Sequence, residues 1–162
     1  MAVSAYEAIS TQTLVSSAAT VTLSSIPQTY TDLVLVLRGT STVDDTIMMQ
    51  FNSDTGSNYS WTQFGADPGS GAFSSRGSGL TSFRIGYGNT GQGSHITQVI
   101  NYSNATTFKT SLSRSNKGAD DVRAIVGLWR NTNAITSLTI IQTSGSFATG
   151  TTISLYGIKA SV

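Results

Sequence analysis

The feature that most constrains this chain is a series of short segments in which apolar and polar residues alternate. The segment TVTLSS at 20–25 places Val21 and Leu23 on one side, and ISLYGI at 153–158 alternates in the same way. Period two is typical of half-buried strands, because successive side chains of a strand point to opposite faces. Clusters of glycine, serine, asparagine and aspartate separate the segments, as in turns. Such a chain is expected to form sheets.

The composition leaves little material for helices. Charged residues make up only 10% of the 162 residues, with Glu7 as the only glutamate and Lys109, Lys117 and Lys159 as the only lysines. Exposed helix positions favour glutamate and lysine, whereas threonine, valine and isoleucine suit a pleated surface. The short segment Ala119–Arg123 is the only place where a turn of helix is plausible.

Three further segments are apolar at nearly every position: 33–37 (LVLVL), 124–129 (AIVGLW) and 138–141 (LTII). Such strands lie at the centre of a sheet, or have one side on the core and the other against a second subunit. We therefore predict one all-β domain over residues 1–162, a β-sandwich of about ten or eleven strands and most simply a jelly roll. A closed barrel is the alternative. The predicted strands lie at 5–10, 20–25, 33–37, 46–51, 59–64, 82–87, 96–102, 108–114, 124–129, 138–141 and 153–158.

The segment Gly65–Gly93 breaks this rhythm, because it is rich in glycine and has few bulky residues. We expect a long surface excursion with one hairpin strand inside it. The functional alternative is an extended loop that a partner orders on contact, since long loops are often functional. The two alternatives are compatible.

Residues that carry out catalysis are scarce. His95 is the only histidine, no G-x-S-x-G motif accompanies it, and its place before a predicted strand suits a solvent-facing side chain. The neighbours Asp44 and Asp45, and likewise Asp120 and Asp121, would point to opposite faces of a strand and cannot flank a glycosidic bond. We expect these acids to lie in polar turns, and we expect no enzymatic activity.

The stretch FNSDTGSNY at 51–59 offers Asn52, Asp54 and Asn58 around Gly56 as oxygen ligands. A calcium loop of the EF-hand type would need more acids and a glutamate at its twelfth position, where this chain has Gln63. A hairpin turn, with Gly56 at positive φ, explains the stretch more simply. We predict no bound metal and no other cofactor.

Several function classes are disfavoured. A net charge of +1 with scattered basic residues argues against nucleic-acid binding. The longest strongly apolar run, 33–37, is far too short for a membrane helix, and the N-terminus lacks the pattern of a signal peptide. The absence of cysteine excludes disulfides and thiolate chemistry. The aromatic residues are expected to pack in the core: Trp61, Phe64, Tyr102, Phe108, Trp129, Phe147 and Tyr156.

Four segments in order resemble a family of tailed-bacteriophage virion proteins common among phages of cyanobacteria and other aquatic bacteria. They are Ser25–Leu37 (SIPQTYTDLVLVL), Phe51–Tyr59 (FNSDTGSNY), Gly127–Leu138 (GLWRNTNAITSL) and Phe147–Lys159 (FATGTTISLYGIK). The resemblance spans roughly residues 10 to 160. It implies a β-sandwich, a trimeric or other oligomeric assembly, and no catalytic motif.

The resemblance implies a head decoration (cement) protein or a module of a tail fibre. A fibre tip needs a stem, and the first predicted strand begins within about ten residues of Met1, so we favour decoration. The expected partners are further copies of the chain, as a homotrimer, and the major capsid protein of the phage head. The expected location is the virion surface, after synthesis in the host cytoplasm. The candidate contact residues are Leu33, Leu35, Leu37, Phe73 and Trp129.

Overall fold

Two antiparallel sheets make up the computed structural model, which describes residues 5–69 and 71–159. The described residues contain no helix and form twelve strands. The strands are β1 Tyr6–Thr13, β2 Thr20–Leu23, β3 Asp32–Gly39, β4 Asp45–Phe51, β5 Tyr59–Asp67, β6 Gly71–Leu80, β7 Phe83–Gly88, β8 Gly93–Val99, β9 Lys109–Lys117, β10 Asp121–Trp129, β11 Leu138–Gln142 and β12 Thr152–Ile158.

The larger sheet has eight strands in the order β1-β12-β3-β8-β9-β10-β5-β6, and the smaller has four in the order β2-β11-β4-β7. Because the two sheets are separate and face one another, the chain is a β-sandwich, as predicted, and not a closed barrel. The strands of the larger sheet from β12 to β5 all have a neighbour on both sides. Their backbone groups are therefore paired within the sheet.

The core lies between the sheets and contains a cluster of four aromatic rings. The rings of Phe51 and Trp129 meet edge to face with centroids 5.3 Å apart, and Tyr59 stacks on Trp129 at 6.2 Å. The Tyr59 hydroxyl donates to the Phe51 carbonyl and accepts from its amide. Phe83 of β7 joins the cluster 5.2 Å from Phe51. Burial of such rings supplies much of the hydrophobic stabilisation.

The glycine-rich segment Gly65–Gly93 is more regular than predicted. It contains the end of β5, the whole of β6 and β7, and the start of β8. Strand β6 pairs with β5 along the edge of the larger sheet, and most of its side chains are exposed. The strand predicted at 82–87 is present as β7, but the rest of the segment is not a loop, because β6 forms an edge hairpin with β5.

The turn of helix proposed at Ala119–Arg123 is also absent. Gly118 has a positive φ of 52°, and the Asp120 amide donates to the Lys117 carbonyl over 2.8 Å. These features close a tight β9–β10 hairpin, and β10 has already begun at Asp121. A turn that short leaves no residues for a helix.

Candidate binding surface

The outward side of the larger sheet carries apolar side chains, whereas a solvated sheet face usually carries polar ones. Strand β9 shows this most clearly, because Ser111 and Ser113 are buried while Leu112 between them is 50% exposed. On β10, Val122 and Val126 also point outward and are 62% and 48% exposed. Strand β9 is thus turned with its serines toward the core.

We call the outward side of β5, β8, β9 and β10, with the two residues that flank β8 and β9, the apolar face. Its large exposed side chains are Phe64, Ile100, Phe108, Leu112, Val122 and Val126. Strand register brings its members together: Val126 lies opposite Leu112, and Leu112 lies opposite Gln98. A patch of this kind on a soluble protein usually marks a contact surface.

A shallow groove of about 680 Å³ crosses these four strands. Its lining includes Phe64, Ala66, Ile96, Arg114, Val122 and Ala124. The small side chains of Ala66 and Ala124 form its floor, between larger neighbours in the same cross-strand rows. Arg114 is the only charged residue at the outward positions of these strands. The groove is therefore largely apolar, and its lining also includes Arg123 and the polar residues Ser94 and Asn116.

The inward side of the same strands is polar, and close approach of the sheets explains it. Across β8 and β9, the His95 Nδ1 lies 2.7 Å from the Ser115 hydroxyl. A Cβ added at Gly127 of β10 would lie 2.5 Å from the Phe83 ring, and one at Gly86 would lie 2.6 Å from the His95 ring. Only small residues leave room for β7 here, and the larger apolar side chains of β9 therefore point outward.

Four of the five candidate contact residues lie inside the single chain. Leu33, Leu35, Leu37 and Trp129 are all almost fully buried in the core. In this conformation they have no side-chain surface to offer a partner, so we reassign them to packing. Phe73 is partly buried on β6, with the Arg123 guanidinium 5.0 Å from its ring centroid. A contact role for Phe73 remains a prediction.

The prediction that the aromatic residues pack in the core is correct for some of them and wrong for others. Tyr102, Trp129 and Phe147 are buried, as expected. The expectation is wrong for Phe64 and Phe108, which are 62% and 55% exposed. Period-two alternation had separated Phe108 and Leu112 from Ser111 and Ser113, but alternation does not say which side faces the core. For this reason the alternation alone does not predict the apolar face.

The FNSDTGSNY stretch is a structural connection that crosses from one sheet to the other. The Asp54 carboxylate accepts hydrogen bonds from the Gly56 amide at 2.8 Å, the Asn58 side chain at 2.9 Å and the Trp129 indole at 2.8 Å. Burial raises the pKa of the Asp54 carboxyl, but these hydrogen bonds outweigh it and hold the pKa below its ordinary value. These bonds explain the carboxylate without a metal.

Two details of the predicted turn are wrong. The flanking strands β4 and β5 lie in different sheets, so the connection is not a hairpin. Positive φ angles of 51° and 55° occur at Asn52 and Ser53, and Gly56 is not among the residues with positive φ. Asn52 adopts this conformation readily, and its side-chain oxygen accepts from the amides of Thr136 and Ser137. Within residues 5–69 and 71–159, no cluster of three or more metal-binding side chains occurs.

His95 is buried, contrary to the expected solvent-facing position, with only 2% of its surface exposed. Desolvation lowers its pKa to about 4, and the nearby Asp121 charge opposes this in part. The ring lies against Gly86 and Gly93, where even a Cβ atom would be too close. The His95–Ser115 pair is therefore enclosed in the core and has no room for a substrate beside it.

The paired acids are tied to neighbouring groups. Asp45 accepts from the Thr143 hydroxyl at 2.6 Å, and Asp121 accepts from Arg123 Nε at 3.1 Å. Lys117 joins Asp44 and Asp120 through ion pairs of 2.9 and 3.5 Å. Asp44 and Asp120 lie in connections, as predicted, but Asp45 and Asp121 are the first residues of β4 and β10, and Asp121 is buried.

The four segments that carry the virion-protein resemblance meet in space. The Ile26 amide donates to the Thr136 carbonyl, and the Gln28 side chain donates to the Ile135 carbonyl. Asp54 links the second segment to Trp129 of the third. In the fourth segment, a Cβ at Gly157 would lie 2.2 Å from the Tyr30 ring of the first. The resemblance therefore rests on residues that hold one region of the sandwich together.

Comparisons with known proteins show no family and a weak structural likeness. No protein-family model matches the sequence, and the search of curated proteins gives no match. Among solved structures, the galectin LEC-6 of Caenorhabditis elegans is similar, with a TM-score of 0.40 and 8% sequence identity over 93% of this chain and 96% of that chain. A likeness this weak carries no inference about binding.

The described part of the chain has no helix long and apolar enough to span a membrane.

Proposed function

We propose that this protein is a decoration (cement) protein of a tailed-bacteriophage head. It binds the outer lattice of the major capsid protein and stabilises the shell by joining neighbouring shell subunits. It acts as a homotrimer on the virion surface, after synthesis in the host cytoplasm, and without catalysis. The resemblance of four segments in order supports this assignment, and so does the kind of surface that the sandwich presents.

The observation that carries the proposal is the outward direction of the apolar side chains on the larger sheet. Phe64 and Val122 are each 62% exposed, whereas the serines of β9 are buried. The groups that could do chemistry serve structural contacts instead: His95 pairs with Ser115, and Asp54 anchors a connection. A broad apolar surface, with the reactive groups occupied, suits an oligomeric protein that works by contact, whether this surface meets further copies or the shell.

The test is the heat stability of phage heads assembled with and without this protein. Particles that lack it should release their DNA at a lower temperature, and adding the purified protein should restore the original temperature. Bovine serum albumin added at equal concentration is the control for non-specific protection. Unchanged heat stability of the deficient particles would contradict the cement role.

A tail-fibre module that recognises host surface glycans is the second candidate, and the groove favours it. An exposed aromatic ring, Phe64, and the cationic Arg114 line the same open groove, with Ala124 between them. Aromatic faces with adjacent polar donors suit sugar rings. Trp61 is less suitable, because its ring lies under the Arg84 guanidinium at 4.4 Å. Binding to a glycan array that Phe64→Ala abolishes, with the fold intact, would support this candidate over decoration.

A further inference from the structure

We propose that the apolar face joins copies of this chain, the faces of neighbouring copies meeting around the rotation axis of the oligomer. The inference extends the proposed function by naming its subunit interface, but its evidence is the geometry of one chain. It would hold for a homo-oligomer in any location. The capsid lattice would then be bound through a different surface.

The exposed apolar area of the face matches what a stable interface requires. Six large side chains, each about half exposed, present roughly 600 Å² of apolar surface. The largest patch on an ordinary monomer is about 300–600 Å². A standard interface buries about 800 Å² per partner, of which about 60% is apolar, or roughly 480 Å². The face supplies this area without contributions from other surfaces.

The centre of the face is suited to close packing. Val126 and Leu112 are in register, and Phe64, Ile100 and Val122 lie farther along the same side of these strands. All four strands have neighbours on both sides, so backbone hydrogen bonds need no partner. Sheets in this situation can pack against other sheets through side chains alone.

The charges on the face favour another copy over a charged partner. Arg114 is the only ionic side chain at the outward positions of the four strands. One cation is too little to hold a polyanion, which needs clustered basic residues. When the apolar faces of two copies meet, the apolar centre of one face contacts the apolar centre of the other. Arg114 lies in the next cross-strand row on the same side as the Val126–Leu112 pair. An apolar surface repeated on every copy is self-complementary under rotational symmetry.

The first experiment measures the mass of the purified protein by light scattering at about 10 micromolar. The wild-type protein should have a multiple of the 17.0 kDa chain mass. The double variant Leu112→Glu/Val126→Glu should be monomeric, with a circular dichroism spectrum like that of the wild type. The matched control is Val15→Glu, because Val15 is 92% exposed outside the face, and it should keep the wild-type mass.

A second experiment avoids introducing charge and uses the natural absence of cysteine. The single variant Val126→Cys should form disulfide-linked pairs on mild oxidation, and Val15→Cys should form far fewer. A wild-type monomer, an oligomeric double variant or equal cross-linking at the two positions would each overturn the inference. The decoration role is tested separately by heat stability of particles, so the two proposals can fail independently.

Discussion

At the scale of single residues, Asp54 shows how an apparent ligand cluster becomes a structural joint. Its carboxylate receives bonds from the Gly56 amide, the Asn58 amide group and the Trp129 indole. The indole belongs to the aromatic core, so Asp54 connects a surface loop with the centre of the sandwich. The residue types that suggested calcium are the same types that build side-chain-to-backbone turns.

Replacing Asp54 should therefore destabilise the fold. We expect Asp54→Ala to lower the free energy of unfolding by about 2–3 kcal/mol, because a charged acceptor is lost and the buried indole N–H is left unpaired. Thr55→Ala, at an exposed position of the same connection, should change it by less than about 0.5 kcal/mol. Urea denaturation measures both.

The hydrogen bonds of Asp54 also predict that the protein does not bind calcium at this connection. Addition of millimolar calcium to the wild-type protein should leave its melting temperature unchanged, because ligand binding raises stability only where a site exists. A rise in melting temperature that Asp54→Ala removes would show that the connection binds the ion.

Burial of His95 predicts a pH dependence of stability. Its pKa is about 4 in the folded protein and about 6.5 when unfolded. The contribution of neutral His95 to the free energy of unfolding is complete above pH 6.5. It decreases as the pH falls toward 4, because His95 takes up a proton in the unfolded chain before it does so in the folded protein. Between pH 8 and pH 5, this should lower the free energy of unfolding by about 2 kcal/mol.

The pH effect is measured by urea denaturation across that range. His95→Gln keeps a polar side chain of similar size and cannot titrate, so its stability should vary much less between pH 8 and pH 5. Parallel curves for the two proteins would show that other groups cause the dependence.

At the scale of elements, the close approach of β7 to β9 and β10 determines which side of each strand faces the core. Gly127 lies where a methyl group would meet the Phe83 ring and the Ser111 hydroxyl. We expect Gly127→Ala to destabilise the protein by about 1–3 kcal/mol through overpacking. Gly91→Ala, where a Cβ finds no atom nearer than 3.5 Å, is the matched control. Thermal unfolding should show a lower melting temperature for the first variant alone.

The strands differ in how well their sequence predicts them. β3 and β11 were found because their apolar runs have no competing interpretation, and both are largely buried. β6 was missed, since the exposed edge strand 71–80 consists mostly of glycine and serine and has no apolar period. Its pairing comes from the neighbouring strand β5, which a local pattern does not include.

The apolar face could not be predicted for a related reason. The alternation of β9 separated Leu112 from Ser111 correctly, but the choice of the inward side depends on β7, which is distant in sequence. Glycines at 86 and 127 are the signal that could have helped, because each leaves room for a ring of the opposite sheet and so indicates close approach. The two glycines can be interpreted in this way only when β7 and β10 are known to face one another.

At the scale of the whole molecule, the sandwich has a core that holds its reactive residues and a large sheet that turns apolar residues outward. These are the properties that the proposed decoration role requires, because that role depends on contact between surfaces. Self-association through the apolar face and binding to a shell through another surface together would place several copies in a fixed array on a lattice.

Imaging of the intact phage that encodes this chain tests these claims together most directly. We predict density for the sandwich on the outer head lattice, in clusters of three copies, with the apolar face between neighbouring copies. Density on the tail alone would contradict the decoration role. Clusters in which Leu112 and Val126 face the solvent would contradict the proposed subunit interface.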